Sequence, residues 1–289
     1  MVALSFGERV LQTIIVTLLC IISVIALVPL LSVVAVSFSS KLPVDLELVT
    51  LWPRGFTLDS WKYVIERPDL WRSFAVTLCT TVAGTAAALL ITALTAYPLS
   101  KKEFALGSVI MIAAVITMIF KAPLIPYFLT VKGVGLYNNP LVLVIPHILT
   151  AYNLIIMRTF FKQIPSELEE AAVIEGAGYF RMLFSIVLPL SKAVLATLGL
   201  FYAVTLWNQF QHPLLFIQNP DWYPLQIKIR QFITSENELP LLGDVSQLNY
   251  NGRTLRAVTI VFAVIPILLV YPYLQKYFVK GALLGSVKG

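Results

Sequence analysis

The chain has 289 residues, of which 58% are hydrophobic and only 12% charged, about half the charged share of a soluble domain. That supply cannot cover a core of this size with polar surface, and 17 Pro, 14 Gly and 2 Cys fit no disordered, collagen-like or disulfide-scaffold class. The formal net charge of +6 suits a membrane protein with basic flanks, and no Lys/Arg tract with interleaved aromatics points to nucleic acid.

Stretches 10–40, 73–100, 104–120, 133–157, 193–220 and 257–275 contain no Asp, Glu, Lys or Arg. A spanning helix needs roughly 20 apolar residues, so the sequence predicts an all-α integral membrane protein with about six spans. They are placed near Leu11–Phe38, Phe74–Leu99, Leu106–Leu129, Leu141–Phe161, Leu190–Phe216 and Ala257–Phe278. The first run is too long for a signal-peptide core of about 7–15 residues, and the continuous runs lack the alternation of a β-barrel. Cys20 and Cys79 fall inside spans, without C-x-x-C spacing, and are expected as small buried apolar residues.

Six spans leave both termini on one side, together with the 100–105 and 162–189 loops. Loops 39–73, 130–140 and 217–256 lie on the other. The two sides carry ten Lys/Arg each, so the positive-inside rule ties. Trp52, Trp61, Trp71 and Trp222 lie in the second set of loops, where they suit an interfacial anchor at the outer surface. The whole chain reads as one domain, 1–289, with no convincing internal repeat.

The informative loop is 162–189. Pro165-Ser166 marks a helix start, and Ser166 with Glu169 reads as a capping box. The helix runs through Ile174, Gly176-Ala177-Gly178 allows a sharp turn, and a second helix starts at Tyr179 with Phe180, Leu183, Phe184 and Val187 on one apolar face. The loop is therefore expected to be a short helical hairpin at the membrane surface, with a small Ala-rich tip suited to a groove on another protein.

The segment Glu170-Ala171-Ala172, three residues, Gly176, nine residues, Ile186-Val187-Leu188-Pro189 resembles the signature of permease subunits of ATP-binding-cassette (ABC) importers. Ala96-Tyr97-Pro98-Leu99-Ser100, Arg158-Thr159-Phe160-Phe161, Leu188-Pro189-Leu190-Ser191-Lys192, Trp207-Asn208-Gln209-Phe210 and the tail from Lys276 to Gly289 are similar to the carbohydrate-uptake branch. Within it the chain resembles the smaller permease of the maltose importer, and it looks closest to permeases for alginate or pectin fragments. The resemblance covers nearly the whole chain, is weakest over 39–70, and departs at Gln209, where the branch more often has Glu.

The resemblance implies that the 162–189 loop couples to a cytoplasmic ATPase through Glu170, Ala171, Ala172 and Gly176, with Glu170 as a charge partner. It also makes the side holding both termini cytoplasmic, in a bacterial inner membrane. The implied partners are a second permease, two ABC ATPase subunits, an extracytoplasmic solute-binding protein, an oligosaccharide and membrane lipid. No G-x-x-x-x-G-K-[ST] cradle occurs, so ATP and Mg belong to the ATPases; no cofactor or metal is expected in this chain, nor catalysis of its own.

Polar residues at membrane depth are costly unless they face a cavity or a partner, which makes Lys121, Asn208, Gln209, His147 and Asn153 substrate-pathway candidates. Lys121 either lines a cavity beside Pro123 and Pro126 or snorkels to the outer interface. His147 and His212 are read as isolated from any ligand cluster, and Thr81, Gly84, Thr85 and Ala88 as a close-packing face. Arg54, Arg67, Arg72 and Lys121 hint at an anionic, alginate-like cargo, although lipid headgroups account for the same charges. The alternatives are a neutral oligosaccharide or glycerol-phosphate-type solute. An ion-coupled secondary transporter lacks the intramembrane acid it would need.

Overall fold

A computed structural model of the chain describes the backbone of residues 6–234 and 249–286, and the side chains of 6–232 and 249–270. The C-terminal tail's side chains and the 235–248 part of the 217–256 loop lie outside the described residues. All regular elements among the described residues are helical.

Among the described residues three helices are long and apolar enough to cross a membrane: α1 (Phe6–Ser37), α4 (Pro68–Ser100) and the Gly252–Val270 part of α14 (Gly252–Ser286). Pro29 within α1 is tolerated, as proline often is in membrane helices. Spans 3, 4 and 5 are interrupted. Span 3 is α5 (Gly107–Ile119), a break at 120–123 around Lys121 and Pro123, then α6 (Leu124–Gly133). Span 4 is two 3₁₀ turns (Pro140–Leu143 and Ile145–His147) followed, after a 47° bend, by α7 (Ala151–Phe161). In span 5 the apolar run has three pieces. A helical stretch over Tyr179–Leu190 turns 85° into Lys192–Trp207, and the chain then breaks at 208–210.

The breaks have local causes. Pro123 denies a backbone donor to the turn before it, and Thr150 caps α7 by accepting a hydrogen bond from the Asn153 amide at 3.4 Å. Sequence hydropathy does not register such interruptions, because the apolar run continues through them. By length and composition the chain then has up to five crossings, if each bent pair counts as one, with α5 as a further short apolar helix.

The chain forms two compact units. The larger, Trp71–Lys228 with Pro266–Gly289, holds a core of Ala93, Ala96, Tyr97 and Leu99 from α4, Leu154, Met157 and Phe161 from α7, Met182, Leu183 and Val187 from the loop, and Val194 and Leu198 from α11 (Lys192–Trp207). Span 2 packs as its small residues predict. A Cβ built on Gly84 would sit 2.8 Å from Leu206 Cδ1 and 3.4 Å from Val144, so a larger residue here requires the Leu206 side chain to shift. Tyr202 Oη, within 2.7 Å of Thr92 Oγ1, accepts from the Thr150 amide at 3.3 Å, tying α4, α7 and α11 together at the span 4 break.

The smaller unit, Met1–Leu70 with Ile229–Ile265, joins α1 to the short helices α2 (Lys41–Asp45) and α3 (Asp59–Ile65) and to α14. Asn251 caps α14, its Oδ1 accepting from the Thr254 amide at 2.8 Å, and Ser60 Oγ donates to Thr254 Oγ1 at 2.9 Å. Cys20 and Cys79 are both exposed, contrary to expectation. Each stands on an outward apolar helix surface.

Candidate functional site

The 162–189 loop folds as α8 (Ser166–Ile174), a turn, α9 (Tyr179–Met182), a π-helical turn at Leu183–Val187 and the short α10 (Leu188–Leu190). The turn is a Schellman closure: the Ala177 amide donates to the Ala172 carbonyl and the Gly176 amide to the Val173 carbonyl, each at 2.9 Å. Gly176 supplies the left-handed C′ residue at φ 79°. No atom crowds the position of its missing side chain, so backbone conformation alone explains this glycine of the motif.

The capping box does not form. Pro165 is the N-cap and makes no side-chain cap, which leaves Ser166 inside the helix. Glu169 turns instead to Lys101 at the end of α4, with Lys101 Nζ donating to Glu169 Oε2. Both side chains are mostly buried, 23% and 19% exposed, and the Lys101 ammonium also lies 4.6 Å from the Tyr97 ring centroid. Arg158 Nε donates to the Leu99 carbonyl at 2.7 Å, satisfying one of the orphan carbonyls that end α4. The loop is thus anchored by charge to α4 and by apolar contact to the core, where Ala172 and Met182 are buried.

What the loop shows to solvent follows from helical periodicity. Glu167, Glu170, Ala171 and Ile174 lie at i, i+3, i+4 and i+7 and are all exposed, while Glu169 and Ala172 face inward. Ile174 is 87% exposed and Phe180 73%, with Val173 and Tyr179 exposed beside them. The expected apolar face of the second helix is rotated: Met182, Leu183 and Val187 are buried, whereas Phe180 and Phe184 point outward. The π-helical turn at Leu183–Val187, with more residues per turn than an α-helix, moves Phe184 off the 3.6 register, while Phe180 precedes it in α9. An acidic helix tip thus stands inside an exposed ring of large apolar side chains. Of the four motif residues, Glu170, Ala171 and Gly176 are exposed and Ala172 is not.

The pathway candidates scatter over the span breaks. Lys121 is exposed in the α5–α6 break. Asn208 is exposed too and donates Nδ2 to the Val204 carbonyl at 2.9 Å, ending its own helix. Asn153 is buried in the first turn of α7. Gln209 is only 6% exposed, and neither atom of its side-chain amide has a hydrogen-bond partner among the described residues.

His147 has a histidine neighbour, while no group of three metal-ligating side chains forms among the described residues. The His147 ring centroid lies 4.5 Å from that of His212, on α12 (Gln211–Phe216), whose Nε2 is 3.2 Å from Tyr127 Oη on α6. Residues 65 positions apart leave no pairwise sequence signal. The one local hint is that each histidine adjoins a proline at a helix break.

On the outer loops, Arg67 is bidentate to Asp69, at 2.9 and 3.0 Å, and its guanidinium lies 5.1 Å from the Phe232 ring centroid. Arg72 pairs with Asp221 at 2.7 Å. Both thus have internal anionic partners, which removes them from the electrostatic case for an acidic cargo.

Residues 88–283 match the family model described as binding-protein-dependent transport system inner membrane component. The chain is 38% identical to the polygalacturonan/rhamnogalacturonan transport system permease protein YtcP of Bacillus subtilis strain 168, over 98% of this chain and 99% of that protein. It is 39% identical to protein LplC of the same organism, over 93% and 91%. Its fold matches a crystal structure of a bacterial ABC transporter involved in the import of the acidic polysaccharide alginate, with TM-score 0.90 and 30% identity over 96% of this chain and 100% of that one. Those curated relatives include transport permeases, and by the family match and near-full-length identity this chain belongs to the binding-protein-dependent inner-membrane permeases of ABC importers.

Proposed function

We propose that this permease passes an acidic oligosaccharide from an extracytoplasmic solute-binding protein into the cytoplasm, by alternating access driven by separate ATPase subunits. The observation that carries the coupling assignment is the outward face of α8. Glu167, Glu170, Ala171 and Ile174 form a small, acidic, apolar-rimmed knob on an anchored base. Exposed apolar clusters rimmed by polar groups mark protein interfaces, and such a knob fits a groove on an ATPase. This reading puts the 162–189 loop and both termini in the cytoplasm, leaves ATP and Mg with the ATPases, and pairs the chain with a second permease.

The acidic cargo is supported by the pectin-related and alginate-related names of the two similar proteins and by exposed Lys121. A neutral cargo is the second reading, because the melibiose/raffinose/stachyose import permease MelC of Bacillus subtilis strain 168 is 30% identical over 83% of this chain. At the span breaks, Lys121, Gln209 and His147 sit where interrupted helices free backbone groups to line a pathway.

ATPase activity of the reconstituted complex against uronate and neutral oligosaccharides, each with its binding protein, tests the cargo. Stimulation by uronate chains is the expected result, and stimulation by neutral sugars alone overturns it. Glu170→Lys and Ile174→Asp are expected to abolish ATPase association while leaving the protein in the membrane. Full association of both variants refutes the docking assignment.

A further inference from the structure

Buried polar atoms without partners gather along one seam of the larger unit. Thr81 Oγ1, Thr85 Oγ1, His147 Nε2, Trp207 Nε1, His212 Nδ1 and both amide atoms of Gln209 are buried and make no hydrogen bond among the described residues. Thr81, Trp207 and Gln209 are each more than nine-tenths buried. The elements that carry these groups converge. Thr81 and Thr85 flank Gly84, where α4 meets Leu206 of α11 and Val144 of the span 4 break. Trp207 follows Leu206 and sets its ring edge-on to Phe74 of α4, with centroids 6.0 Å apart. His147 lies three residues beyond Val144, and its ring meets that of His212. The two threonines also depart from the habit of their helix. Thr80 and Thr95 donate back to the carbonyls of Val76 and Ile91, each at 2.8 Å, the ordinary way for a helical hydroxyl to satisfy itself. Thr77 accepts from the Leu225 amide at 2.8 Å, and Thr92 pairs with Tyr202. Of the threonines on α4, the two beside Gly84 are the ones left unpaired.

Unpaired buried polar groups are rare in native proteins, and each calls for a partner. The donor and acceptor inventory selects that partner. A threonine hydroxyl and a glutamine amide both donate and accept, an indole only donates, and a neutral imidazole offers one of each. Tyr127 Oη already stands 3.2 Å from His212 Nε2, which leaves Nδ1 as that ring's unpaired atom. A carboxylate only accepts and would leave Gln209 Oε1 unpaired. A metal cation takes only lone pairs and would leave the Trp207 and Gln209 N–H groups unpaired. A hydroxyl does both. The rings of Tyr127 and Phe216, with centroids 5.5 and 5.9 Å from that of His212, add apolar faces against which the C–H face of a sugar ring packs. We infer that Thr81, Thr85, His147, Trp207, Gln209 and His212 form a hydroxyl-reading subsite of the transport pathway. It is buried in this structure, opens as the spans move, and takes the ring hydroxyls of the cargo without reading its carboxylates. The inference rests on the oligosaccharide-transport reading above and makes this seam indifferent to the charge of the sugar.

The test uses the full reconstituted complex carrying Cys20→Ser, Cys79→Ser and, as reporter, the nearly isosteric Thr85→Cys. Labelling by a small hydrophilic methanethiosulfonate is expected to run roughly tenfold faster during ATP turnover than without nucleotide. Neutral and uronate oligosaccharides of equal length are expected to slow it to a similar extent. Adding Gln209→Leu or His147→Phe should raise the half-protecting concentration of both sugar classes roughly tenfold, the loss of about one hydrogen bond. A cysteine unreactive in every nucleotide state shows permanent packing and overturns the subsite. Labelling that no sugar slows marks water as the partner and overturns it too. Protection by uronates alone makes the seam a carboxylate reader, and protection unmoved by either added substitution leaves these side chains without a role; both refute the inference. Uptake by the same complex separates the two readings. A complex that takes up oligosaccharide yet fails these tests refutes the subsite alone, whereas one that takes up no oligosaccharide refutes the cargo reading and the subsite with it.

Discussion

The Lys101–Glu169 pair gives a quantitative handle on how α8 is held. The two side chains are 23% and 19% exposed, so the pair sits between the surface and interior limits. At an effective dielectric constant near 20 the attraction of contacting unit charges is about 4 kcal/mol. Desolvation cancels much of it, and hydrogen bonds to charged groups retain about 1.5–3 kcal/mol. Lys101→Met or Glu169→Gln should therefore raise the opening equilibrium of α8 by roughly 10–150-fold, since each 1.4 kcal/mol is tenfold. Hydrogen exchange of the amides over 166–174 reads that opening directly. The two single changes should not add, because each removes the same contact. The charge-reversed double variant Lys101→Glu/Glu169→Lys should recover most of the protection. Additive single effects with no recovery on reversal would refute the anchor and return α8 to apolar packing alone.

Three further outcomes follow from single contacts. Gly176 at φ 79° predicts a graded series: Asn nearly neutral, Ala costing about 1–2 kcal/mol of loop stability and Val more, read by the same exchange measurement, where equal protection in all three refutes the strain argument. Tyr202→Phe removes the acceptor of the Thr150 amide and the partner of Thr92, so it should cost about 1–3 kcal/mol and lower the thermal midpoint of the purified transporter; an unchanged midpoint shows that the bond is dispensable. Gln209→Leu removes two buried amide atoms that lack partners and should raise that midpoint, while lowering cargo-stimulated ATPase activity; a variant unchanged in both has neither a pathway role nor a polar penalty.

How far the sequence reached depends on the length scale of each signal. Local signals carried through: the gap between charges along 10–40 became α1, Gly176 became the C′ residue of a Schellman turn, and Gly84 marked close packing against Leu206. Signals that need a distant partner did not. Ser166 and Glu169 have capping-box spacing, yet the local alternative lost to Lys101, which lies 68 residues away in sequence. The His147–His212 contact and the pairing of Arg72 with Asp221 are invisible for the same reason.

Pro123 and Pro126 hint at the break in span 3, but the breaks in spans 4 and 5 escape hydropathy on a different ground. Hydropathy measures the cost of burying side chains in lipid, which a broken apolar segment and a continuous one meet equally well. Backbone groups set the other cost, because each N–H or C=O freed at a break must find a partner inside the protein or face water. The structure meets that demand at Thr150 with Tyr202 Oη and at the end of α11 with Asn208 Nδ2. At Lys121 and Gln209 the polar side chain stands at a break, and Gln209 has no partner among the described residues. The first pair of residues serves the fold, and the second is the pair proposed above to meet the pathway. Among the pathway candidates Gln209 and Lys121 therefore rank above Asn208, whose amide is already committed to its own helix.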